Sequence, residues 1–88
     1  MTILEEEKAL GEMLNTARQT LKEWYFRAPR TSDGRLDDLH LYAMHTLGYA
    51  ECLAERFMQA GLAERLSMRA DIERIEYEIR VLTESRSE

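Results

Sequence analysis

Met68-Arg69-Ala70-Asp71-Ile72-Glu73-Arg74-Ile75-Glu76-Tyr77-Glu78-Ile79-Arg80-Val81-Leu82 is the stretch that decides the fold. Met68, Ile72, Ile75, Ile79 and Leu82 recur at spacings of four, three, four and three. That period places all five on one stripe of an α-helix. The opposite face carries unlike charges four apart, Arg69–Glu73, Arg74–Glu78 and Glu76–Arg80. Each such pair adds about 0.2–0.5 kcal/mol to a helix. Upstream lies Gly61, which favours a left-handed C-cap on the preceding helix, with Leu62 folding back on Phe57. The spacing therefore predicts a sharp corner at Gly61, a third helix over about 62–84 and a frayed tail over 85–88.

The second helix is expected over about 35–60. On a wheel of 100° per residue, Leu36, Leu39, Tyr42, Ala43, Thr46, Leu47, Tyr49, Ala50, Leu53, Ala54 and Phe57 fill one arc. The arc is roughly 160° wide, against the ~100° of an ordinary surface helix. This width predicts two neighbours and a central position. Ala43, Ala50 and Ala54 near its middle allow another helix to approach closely.

The first helix is expected over about 3–28. Thr2 and Glu5 have capping-box spacing, and Glu5, Glu6 and Glu7 stand where the helix dipole favours anions. Ile3, Leu10, Leu14, Ala17, Leu21, Trp24 and Ala28 form its seam, with Glu7 in a skipped seam position. Pro29 ends it. Residues 29–34 form the loop, with Ser32 or Asp33 as the next N-cap. The result is an all-α fold, an antiparallel three-helix arrangement made of a long hairpin and a third helix in one domain, 1–88.

Eighty-eight residues with 44% hydrophobic and 33% charged side chains suit a folded, highly charged helical chain. One proline and four glycines exclude a sandwich or barrel with a turn every ten residues or so. A domain this small buries only about 60–65% of its unfolded surface. Self-association through the apolar seams is therefore expected, giving a homodimer or higher homo-oligomer.

The net charge is −5, and no third of the chain is basic. Nucleic acid as the main partner is disfavoured, because duplex binding needs several Lys or Arg phosphate contacts. Arg supplies most of the basic residues, and its planar fork favours recognition of carboxylates or phosphates. Cys52 is the only cysteine, which excludes an internal disulfide and fits a reducing, cytoplasmic setting. The acidic start Met1-Thr2-Ile3-Leu4-Glu5-Glu6-Glu7 is not a secretory leader. No apolar run reaches the ~18–20 residues of a membrane span, so no membrane partner is expected.

Catalytic and metal sets are absent. His40 and His45 diverge by about 140° around a helix. Asp37 and His40 share a face but lack the inward carboxylates of a di-metal bundle. Cys52 and His45 lie about 10.5 Å apart along the axis, too far for an activating hydrogen bond. The chain reads as non-enzymatic, with no metal and no cofactor.

The densest cluster flanks the hairpin loop. Trp24, Tyr25 and Phe26 close helix one, and adjacent helical residues diverge by about 100°, so all three cannot face one core. Tyr42, His45 and Tyr49 edge helix two. Arg27, Arg30 and Arg35 make this the most basic region of an acidic chain. Tyr, Trp and Arg are the residues most enriched at binding hot spots. The bland alternative is that the aromatics plug the end of the bundle and the arginines solvate a helix terminus. Leu41 and Met44 on the polar side of helix two add a modest exposed apolar patch. These features point to a small stoichiometric module: an inhibitor, adaptor or small chaperone of a larger protein, of a size and type that suit a phage- or plasmid-borne gene. The alternative is a binder of an anionic metabolite or signalling nucleotide, held by aromatic faces and arginines.

Overall fold

A computed structural model describes residues 2–27 and 38–87. The expected loop at 29–34, its capping candidates Ser32 and Asp33, and the seam positions Ala28 and Leu36 lie outside them. The fold is all-α, with α1 at Ile3–Arg27, α2 at Asp38–Gln59, α3 at Leu62–Ser67 and α4 at Arg69–Ser87.

Contacts fix the directions. Arg18 meets Glu51 and Tyr25 meets His40, so α1 and α2 run antiparallel. Tyr49 meets Asp71 and Tyr42 lies near Glu78, so α2 and α4 also run antiparallel. Glu6 meets Arg69, and Met13 and Thr20 share a groove with Glu76 and Thr83, so α1 and α4 are parallel. The bundle measures 50 × 24 × 16 Å.

The three seams build the core. Leu10, Leu14, Ala17 and Leu21 of α1 meet Ala43, Ala50, Leu53 and Ala54 of α2, and Met68, Ile72, Ile75 and Leu82 complete it. Trp24, Leu39, Leu47, Phe57 and Ile79 pack partly buried around them. The seam position Ile3 stands exposed. Helix two packs along α1 and α4, as its wide arc requires, and meets Arg65 of α3 at its end, while α1 packs against α2, α3 and α4. The Thr2 hydroxyl accepts the Glu5 amide at 3.1 Å, as its capping position predicts.

Three local features depart from the sequence reading. The expected third helix is two helices with a break at Met68. The Ser67 hydroxyl donates to the Glu64 carbonyl at 2.6 Å, the acceptor that the Met68 amide would use in a continuous helix. That amide turns to Arg65 O at 3.1 Å instead. Gly61 is not a left-handed cap: its φ of −78° and ψ of 175° are extended, and it stands at the N-cap of α3 while Leu62 is exposed. The end of α2 is closed instead by Arg65, whose Nε donates to Phe57 O at 2.8 Å and whose Nη2 donates to Met58 O at 3.2 Å. Finally, α4 extends to Ser87, beyond the boundary expected near 84. Residues 83–87 contain no Gly or Pro to end it.

Candidate functional site

The predicted cluster divides into two places. At the hairpin end, Trp24 packs on the core and Tyr25 is half-buried. The Tyr25 ring meets Phe26 edge-on at 5.3 Å and tilts against His40 at 5.0 Å. Phe26 is 80% exposed. Arg27 is the last residue of α1, and Arg30 and Arg35 lie outside the described residues. His40 itself is buried, facing α1.

Tyr42, His45 and Tyr49 are not part of that end. His40 and Tyr42 project about 200° apart on α2, which turns Tyr42 away from Tyr25 and towards α4. Tyr49 donates to Asp71 Oδ1 at 3.1 Å. A small pocket of about 120 Å³ lies between His45, Tyr49, Arg74 and Glu78. Burial pushes the Tyr42 phenol above its ordinary value, helped by the Glu78 carboxylate and Tyr77 and opposed by Arg74. Burial also raises Tyr49, reinforced by its bond to Asp71. Both phenols therefore stay neutral hydrogen-bonding groups through physiological pH.

Along α2 these residues lie in a run that no charge interrupts, bordered by Arg74 and Glu78 of α4. Residues 39–50 contain no Asp, Glu, Lys or Arg, although a third of the chain is charged. The run spans about 18 Å of helix at 1.5 Å per residue. Its inner side, Ala43, Thr46 and Ala50, is buried. Its outer side presents Leu41 at 44% exposure, Met44 at 42%, and Tyr42 and Tyr49 at similar levels, with His45 among them. A Cβ built on Gly48 meets nothing within 4 Å, so the backbone itself is open to approach. Tyr77 of α4, 61% exposed, lies near Tyr42. Sequence reading missed Tyr77 as part of this surface. The uninterrupted neutral run is the signal that marks the rest of the face.

No group of three or more His, Cys, Asp or Glu among the described residues could hold a metal ion. Cys52 is exposed. No helix among the described residues is long and apolar enough to cross a membrane. Comparison with known protein families, curated proteins and solved structures finds no match.

Proposed function

We propose that this chain is a stoichiometric protein-interaction module that docks on a larger protein through the outer face of α2. The observation that carries the reading is the charge-free, exposed strip of Leu41, Tyr42, Met44, His45 and Tyr49 on an otherwise strongly charged molecule. Charged groups are costly to desolvate, and the centres of protein interfaces are depleted in them. Tyr and Met are enriched there. Unbranched Met44 adapts to an irregular partner surface, and the open backbone at Gly48 admits a protruding side chain. Acting as an inhibitor, adaptor or small chaperone requires nothing more than such a face on a stable scaffold.

The small-ligand alternative finds less support. Ligand pockets usually enclose about 300–1,000 Å³; the pocket beside Tyr49 offers about 120 Å³, and the two grooves of about 340 Å³ are lined by none of the residues expected to hold the ligand. The one guanidinium of the pocket beside Tyr49, Arg74, already pairs with Glu78 at 3.5 Å.

The test is recovery of a 1:1 complex from source cells using the full chain and Leu41→Asp/Met44→Asp. Two Asp inside a helix cost about 1 kcal/mol in propensity, so circular dichroism should show the helices intact before the comparison is made. The reading expects a discrete partner with wild type and its loss with the variant. An equal yield of the same partner from both proteins would contradict it.

A further inference from the structure

We infer that a second copy of this chain packs on the groove between α1 and α4, around a two-fold axis that sets Glu76 of each copy opposite Arg80 of the other. The groove encloses about 340 Å³ and is lined by Met13, Ala17, Thr20 and Ile79, with Glu76 and Arg80 on its rim. Its threonines do not make it wet. The Thr20 hydroxyl donates to Thr16 O and the Thr83 hydroxyl to Ile79 O, each at 3.0 Å. The donors are satisfied within their own helices, so the walls can be covered without stranding those protons.

Charge selects a second copy as the occupant. Glu76 and Arg80 stand one helical turn apart, at the spacing that normally pairs within a helix. Arg69–Glu73 and Arg74–Glu78 do lie within ion-pair distance on the same helix. Glu76 and Arg80 are not among the ion pairs of the described residues, and both remain available. An isologous interface requires a patch complementary to itself. Antiparallel α4 helices centred on residue 78 place Glu76 against Arg80 twice and Glu73 against Thr83 twice. Glu78, the residue on the axis, turns to the other side of α4 beside His45 and Tyr49, so no like charges meet on the groove face in that register.

The groove side of α1 faces away from Gly11 and Arg18, which meet α2. The α2 face therefore stays open in the dimer, which would carry two copies of it.

Sedimentation equilibrium on the full chain tests this with Glu76→Arg and with Glu76→Arg/Arg80→Glu. Wild type should sediment at twice 10.3 kDa. Glu76→Arg sets arginines opposite each other twice and should weaken dimerisation by at least about tenfold. The double reversal should restore affinity to within about threefold of wild type. A monomeric wild type, or a dimer indifferent to the single reversal, would overturn the inference. So would a double reversal that fails to rescue while circular dichroism shows the helices intact. None of these outcomes depends on the α2 docking face, whose own test can succeed or fail independently.

Discussion

The Arg65 guanidinium lies 4.9 Å from the centroid of the Phe57 ring while its Nε donates to the Phe57 carbonyl. One side chain thus covers the aromatic ring and closes the backbone of the same residue. Its Nη1 reaches across to Glu7 Oε1 at 2.5 Å, tying the end of α2 and the last turn of α3 to α1. Charge-assisted hydrogen bonds contribute about 1.5–3 kcal/mol when partly shielded, and an exposed cation–π contact adds about 0.5–1. Arg65→Ala should cost about 2–3 kcal/mol in urea unfolding. Arg65→Lys should recover less than half of this, since an ammonium cannot supply the planar fork. A loss below ~0.5 kcal/mol for the alanine variant would show that this corner is not held by Arg65.

Gly61 offers a gain of stability. Its backbone is extended, a conformation any residue adopts, and a Cβ there meets nothing within 4 Å. No side chain caps α3. Gly61→Asp should add about 0.5–1 kcal/mol, by supplying an N-cap acceptor and by restricting the unfolded chain. Thermal unfolding at neutral pH reads the change. A lower midpoint would argue against the extended geometry.

Two helical glycines should respond differently to alanine. Gly48 has open space around it, so Gly48→Ala should gain about 0.5–1 kcal/mol from helix propensity alone. At Gly11 a Cβ would stand 3.3 Å from Phe57 Cε1, on a ring already covered by Arg65. Gly11→Ala must displace that ring and should gain less than Gly48→Ala. Equal gains in paired denaturation curves would mean that Phe57 is not seated against α1.

Acid should weaken the α1–α2 contact through Glu51. Its carboxylate accepts Arg18 Nε at 3.1 Å and Nη2 at 2.8 Å, with Lys22 Nζ at 3.7 Å. The Arg18 hydrogen bonds hold the Glu51 carboxyl below its ordinary 4.5, against an opposing effect of partial burial. A carboxyl depressed by folding contributes stability above its unfolded value, and loses it as pH falls through the folded value. The pair is well exposed, so the contribution stays at or below about 1 kcal/mol. Glu51→Gln should therefore be less stable than wild type at pH 7, and the gap should close progressively below pH 4.5. A gap independent of pH would assign the loss to something other than the charge.

The helical seams were readable because period alone defines them. Leu10 to Leu21 and Met68 to Leu82 follow the four–three spacing and are buried, apart from the partly covered Ile79. The corner between α2 and α4 was not readable in the same way. Glu7 stands in a skipped seam position, and its partner is Arg65, 58 residues away. The capping role expected of Gly61 also falls to Arg65, a long-range contact that no local pattern specifies. The break at Met68 rests on one hydroxyl, that of Ser67, competing for a carbonyl. At the candidate site the wheel gives each residue's azimuth on its own helix but not which helix stands beside it. Tyr25 and Tyr42 therefore read as one cluster, although His40 takes Tyr25 and α4 takes Tyr42. The neutral run over 39–50 was visible throughout. Its meaning depended on knowing which side of α2 is covered.

The docking face is tested most directly by where a partner touches the chain. A photoreactive amino acid placed at Met44 and, in a separate protein, at Glu12 on the exposed charged side of α1 compares the two surfaces in source cells. The account predicts one discrete adduct from position 44, abolished by Leu41→Asp, and none from position 12. Equal adducts from both positions, or an adduct from position 12 alone, would contradict it.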